Sequence, residues 1–180
     1  RYSRKEIKNI WSDHNKYTLW LKIELAAAEA MEKLKIIPRG VTKKVRSRAS
    51  INVKRILQIE TKVKHDVIAF LTSINEKVGK DARYLHKGMT SSDVLDTCFN
   101  IQLKQSGKIL IKDIDQLLSA LKKQALKYKY TLCIGRSHGI HAEPITFGLK
   151  MLSFYQEFLR NKQRLESAIK EISTCAISGA

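Results

Sequence analysis

Proline and glycine are scarce in this chain, at 2 and 8 of 180 residues. Both interrupt helices, so their scarcity leaves room for long ones. Cysteine is scarce too: Cys98, Cys133 and Cys175 are odd in number, far apart, and form no C-x-x-C. That excludes a disulfide framework or a zinc ribbon and fits a reducing cytosol. No signal peptide is recognisable, and no apolar run approaches the ~18 residues of a membrane span, so no membrane partner is expected. Acidic residues are few, 17 against 34 Lys plus Arg, which gives a formal charge of +17. Such an excess suits anionic partners: nucleic acid, acidic lipid, or a phosphorylated or polycarboxylate substrate. The lysines are spread along the chain, however, as they are when they solvate helix faces. No zinc-finger, RRM or basic-zipper signature accompanies them, so nucleic acid is not the expected partner.

What is present is apolar content, 43% of residues, arranged with helical period. Disorder is excluded and one or two small domains are expected. Ser3 and Glu6 have capping-box spacing, and a helix is predicted from there to about Leu34. Trp20, Ile23, Ala27, Ala30, Met31 and Leu34 recur along it at helical steps. Ile37-Pro38-Arg39-Gly40 breaks the pattern, and a short basic helix follows over Val41, Val45 and Ala49. Ile56, Ile59, Val63, Val67, Phe70 and Ile74 predict one longer helix ending at Glu76 to Gly79, with His65-Asp66 near its middle. Ser91 or Ser92 can cap a helix starting at Asp93. Leu110 to Tyr128 and Leu149 to Ile172 mark two long helices, the last running to the end of the chain. No strand alternation competes. The expected fold class is all-α, a bundle of long helices. The two longest patterns exceed the ~11–12-residue average, so their apolar stripes call for an oligomer or further helices.

Three polar clusters interrupt these patterns: His65-Asp66, His86 to Asp93, and Arg136 to Glu143. The third reads Gly135-Arg136-Ser137-His138-Gly139-Ile140-His141-Ala142-Glu143-Pro144, a polar loop expected between rigid helices, with Pro144 in the first turn of the next helix. A positioned His138 can donate or accept a proton near neutral pH. Each cluster also has a plain structural reading. A His-Asp pair on a helix is often an ordinary surface or core pair, and Thr-Ser-Ser-Asp is often only a helix cap. His138-x-x-His141 has the spacing of a metal pair, but a glycine-containing loop disfavours that, and no metal is expected. A bundle can bring the three clusters to one cleft, giving an acid, hydroxyls and a helix start that binds anions.

At these residues the chain resembles the adenylosuccinate lyase family of the fumarase/aspartase/argininosuccinate lyase superfamily. The resemblance rests on Arg1-Tyr2-Ser3-Arg4 with Ile10-Trp11, on Lys64-His65-Asp66-Val67-Ile68-Ala69-Phe70, on His86-Lys87-Gly88-Met89-Thr90-Ser91-Ser92-Asp93, and on Gly135 to Gly148. It covers all 180 residues in order. It implies a fumarase/aspartase-like fold, with an N-terminal helical domain over 1–107 and the start of a central helical bundle over 108–180. It implies a β-elimination that splits a C–N bond and releases fumarate, without cofactor or metal. The substrates would be adenylosuccinate and the earlier succinylated purine intermediate.

The implied roles are specific. His138 would be the general acid, supported by His65 and His86. Arg1, Tyr2, Lys64, His65, Asp66, Thr90, Ser91, Ser137 and His141 would bind substrate. Ser137 stands where the family usually has Thr, a change that keeps the hydroxyl. Family members are more than twice this length, and the loop bearing their serine base is not in this sequence. The piece alone is therefore expected to be inactive, the intact enzyme a cytoplasmic homotetramer. Another lyase of the superfamily, such as argininosuccinate lyase, is the alternative, and a basic helical nucleic-acid binder the third.

Overall fold

The computed structural model describes residues 2–179. They form two compact units: one from the chain up to Leu103 together with the segment from Ser173, the other Lys104–Ile172. Helices dominate both, as expected.

In the first unit, α1 (Lys5–Ile10) and α2 (Asp13–Lys33) stand where one helix was predicted. The break lies at Ser12, whose hydroxyl accepts the Asn15 N–H at 3.2 Å and so caps α2. Ser3 is no cap: Arg4 precedes α1, with no side-chain cap bond. α3 (Val41–Arg48) follows the Pro-Gly break, and Glu32 reaches it from α2. The Glu32 carboxylate accepts the Gly40 N–H and the Thr42 N–H and hydroxyl, which hold its pKa below the usual value.

The single helix predicted through Ile56 to Ile74 is also two, α4 (Val53–Val63) and α5 (Asp66–Val78). Lys64 turns the chain in the left-handed region, φ 54°, and His65 caps α5. The apolar spacing carries straight through this break, because both helices turn the same kind of stripe inward. Ile56, Ile59, Val67, Phe70 and Ile74 are all buried. At the centre, Tyr17, Trp20 and Phe70 pack ring against ring: 5.1 Å and edge-on for Tyr17–Trp20, 5.5 Å and edge-on for Trp20–Phe70, 6.0 Å and stacked for Tyr17–Phe70. A 3-10 turn, Gly79–Tyr84, follows α5.

Helix α6 (Ser91–Lys127) runs 37 residues without a break and starts two residues before the predicted Asp93. Asp93 supplies the return half of a capping box, Thr90 N–H donating to its Oδ2 at 3.0 Å, while Asp93 N–H donates to the Thr90 backbone carbonyl at 3.1 Å. Asp93 also anchors the C-terminal segment. Ser178 N–H donates to Oδ1 at 2.9 Å and Gly179 N–H to Oδ2 at 3.1 Å. Further along α6, the Thr97 hydroxyl accepts the Ala176 N–H at 3.1 Å and Asn100 donates to the Thr174 carbonyl at 3.0 Å. Residues 173–179 thus form an extended strap antiparallel to α6, where a continuing helix was predicted. A strap suits this side because Asp93, Thr97 and Asn100 share one helix face and satisfy its backbone.

In the second unit, the rest of α6 packs on α7 (Phe147–Glu171). Two glycines permit the approach: a Cβ on Gly148 would lie 2.5 Å from the Ala125 carbonyl, and one on Gly107 would lie 2.6 Å from Ile169. Between the helices stands an antiparallel hairpin, β1 (Leu132–Ser137) and β2 (Ile140–Thr146), where a loop without strands was expected. Pro144 sits in β2 opposite Ile134, not in a helix, and Thr146 caps α7. Leu132, Cys133 and Ile134 face Thr146, Ile145 and Pro144, so the β-branched Ile134, Ile145 and Thr146 lie within the pairing. The register slips between Ile134 and Arg136, leaving a bulge before the tip.

Candidate active site

Four described non-glycine residues have positive φ: Lys35, Lys64, His86 and His138. The last three are residues singled out from the sequence. Such backbone is sterically costly for an L residue and gathers where side chains are aimed for function.

His138 and Gly139, at φ 53° and 77°, are the two central residues of the hairpin turn. Positive φ at both central positions is the pattern of a type I′ turn, which matches strand twist; Gly139 adopts it freely and His138 does not. The imidazole therefore stands exposed at the tip of a paired ribbon rather than on a slack loop. Ser137 pairs with Ile140 and His141 with Arg136, just below the tip. Ser137 and His141 are exposed as well.

In the first unit the sequence-predicted residues gather at two helix starts. His65 is the cap of α5: its Nδ1 accepts the Ile68 N–H at 3.4 Å. Its Nε2 lies 3.5 Å from the Ser91 hydroxyl, at the first residue of α6. With Nδ1 accepting, the neutral ring carries its proton on Nε2, toward Ser91. Asp66 accepts the next N–H, that of Val67, at 2.7 Å and lies 3.5 Å from His65 Nδ1. Two helix N-termini thus meet around one imidazole, and their dipoles favour an anion there. Lys64, at the αL end of α4, is exposed beside it. Thr90 and Ser91 are half-buried. Tyr2 is 92% exposed, and Arg1 lies outside the described residues.

His86 is held differently. Its backbone N–H donates to Glu24 Oε2 at 2.6 Å, and its Nδ1 lies 2.6 Å from Glu24 Oε1. Glu24, on α2, escaped the sequence reading; the one signal was a carboxylate between Ile23 and Leu25 in an apolar, Ala-rich run. Asp93 belonged to the expected polar cluster, but its side chain is committed to the helix start and the strap. Those N–H donors, Ser178 first, then Thr90 and Gly179, hold its carboxyl below its ordinary value of 3.8.

The sequence pattern of the lyase family matches residues 2–180. The chain belongs to that family. Among relatives, this lyase chain is 48% identical over its 180 residues to the adenylosuccinate lyase of Thermotoga maritima and 44% identical to that of Staphylococcus saprophyticus. It spans 42% of the length of each. Among solved structures, the lyase chain superposes on fumarate lyase from Mesorhizobium sp. BNC1 with a TM-score of 0.93 at 24% identity, covering 100% of this chain and 44% of that one. The 3-carboxy-cis,cis-muconate lactonizing enzyme from Pseudomonas putida gives 0.88 at 24% identity, covering 99% and 42%. At that identity the two structures speak for the shared fold.

Proposed function

We propose that this chain is the N-terminal part of an adenylosuccinate lyase, which cleaves adenylosuccinate to AMP and fumarate and acts likewise on the succinylated aminoimidazole carboxamide ribotide. The observation that carries this reading is the 48% identity, along the whole chain, to a protein of that name. The paired helix starts at His65 and Ser91 support it, since both substrates bring phosphate and carboxylates to be bound.

In this reading His138 is the general acid that protonates the departing nitrogen while a base elsewhere in the enzyme removes a proton from the succinyl carbon. His65 and His86 support it. Arg1, Tyr2, Lys64, Asp66, Thr90, Ser91, Ser137 and His141 bind the phosphate, the succinyl group and the base. Hydroxyl and amide donors stabilise the dianion formed beside the carboxylate. Residues 1–107 are an N-terminal domain and 108–180 open a central bundle that assembles as a homotetramer in the cytoplasm. No cofactor takes part.

The test is fumarate release by the full-length enzyme. His138→Gln lowers kcat by about 10²–10⁴-fold while KM changes little, as expected for a proton donor in the transition state. A matching rise in KM with kcat intact reassigns His138 to binding. Release from argininosuccinate but not adenylosuccinate moves the enzyme to another branch. The 180-residue chain alone releases no fumarate; release that His138→Ala abolishes would refute the need for the missing portion.

A further inference from the structure

We infer that Glu24 is a positioning residue: it fixes which ring nitrogen of His86 carries the proton. Glu24 shares the inner face of α2 with Tyr17, Trp20 and Ala28, and its side chain is 0% exposed. Filling that face would be served by an apolar residue, because a carboxylate loses its hydration there unless its oxygens are matched. Both are matched by one residue 62 positions away, through the backbone N–H and Nδ1 of His86. His86 takes up this grip in the left-handed region at φ 58°, and its side chain remains 18% exposed.

The donor count sets the tautomer. An ionised carboxylate only accepts, and a backbone N–H only donates. Nδ1 of His86 is therefore the donor to Oε1, and a neutral ring keeps its lone pair on Nε2. His65 has the opposite arrangement, with Nδ1 accepting from Ile68. The two site histidines thus present different groups, a donor at His65 Nε2 and an acceptor at His86 Nε2. The functional consequence rests on the proposed lyase reading: His86 would meet the substrate as an acceptor while neutral.

Glu24→Gln tests this directly. The amide has one oxygen, which the His86 backbone N–H claims; its NH₂ then faces Nδ1, which has to accept. The ring proton moves to Nε2. Long-range proton–nitrogen correlation spectra, recorded where the ring is neutral, should show Nδ1–H in the unaltered chain and Nε2–H in Glu24→Gln. Nε2–H in the unaltered chain, or the same tautomer in both folded proteins, overturns the inference. If Glu24→Gln does not fold, the unaltered chain decides alone.

A second arm uses the full-length enzyme. Glu24→Gln should lower kcat/KM about tenfold or more, and the double variant with His86→Gln should lose no more than His86→Gln alone. Independent, additive losses overturn it. If adenylosuccinate is no substrate, only the reading of function falls, and the tautomer still decides the role of Glu24.

Discussion

The two compact units bury apolar surface very differently. In the first, Tyr17, Val45, Ile56, Val67, Phe70, Ile74 and Val94 are each 1% exposed or less, and they form one continuous core. In the second, Leu118 and Ala125 are the buried hydrophobic residues among those described, while Leu110, Leu117, Leu126, Leu149, Leu152 and Phe154 are exposed. Residues of the same type at the same helical spacing serve a closed core in one unit and an open face in the other. The candidate residues differ likewise: His65 and His86 are set against a packed core, whereas His138 rides on a hairpin between two helices.

The sharpest way to break this comparison is to cut the same kind of hole in each unit. Phe70→Ala should cost about 3–5 kcal/mol in denaturant unfolding, because it empties the centre of the aromatic cluster. Leu152→Ala, 43% exposed, should cost within about 0.5 kcal/mol. A large loss at Leu152 would mean that this face is already covered in solution.

The strap on α6 supplies the next test. Asp93→Asn should raise amide exchange at Ala176, Ser178 and Gly179 and lower the unfolding midpoint at neutral pH. The folded-state pKa of Asp93 lies below its ordinary value of 3.8. Its contribution is therefore complete above that value and is lost as pH falls through the lower, folded one. The gap between the two proteins should narrow on acidification below about pH 4; a gap that stays constant with pH would detach the strap from the carboxylate charge.

Caps should erase the contrast. Ser12→Ala at the start of α2 and Thr146→Ala at the start of α7 should each cost about 1 kcal/mol, because a cap bond is local and indifferent to the core beyond it. Unequal costs would show that one helix start carries more than its own turn. The smallest effect is chemical. Burial raises the Cys98 thiol to about 11, whereas Cys175 is exposed and Cys133 partly so. A thiol reagent at pH 8 should label Cys175 first and Cys98 last, and early labelling of Cys98 would mean that the first unit opens.

Much of the helical frame was legible, because period 3.6 in apolar residues is a local property. The break at Lys64-His65 was not: no proline or glycine marks it, and the spacing runs on unchanged across it. The hairpin was missed for a related reason. Its strands are short, and its turn reads His-Gly rather than the usual Asn-Gly. The strap looked helical because the donors and acceptors that hold it extended, on Asp93, Thr97 and Asn100, lie more than seventy residues away. The candidate site residues were picked out by type and spacing. Glu24 was not, since a carboxylate in an Ala-rich helix looks solvated until its burial is known.

By itself the sequence determined the helical class, the family, and which histidines and hydroxyls to watch, because composition, periodicity and motif spacing are carried by neighbours along the chain. Tertiary structure alone decided where those helices break, that His138 stands at a strained turn, and that His65 and His86 are both held through Nδ1, one against a backbone N–H and the other against a carboxylate. The grip on His86 comes from Glu24, 62 positions away, and the strap is held by partners more than seventy residues away; no local pattern encodes such meetings.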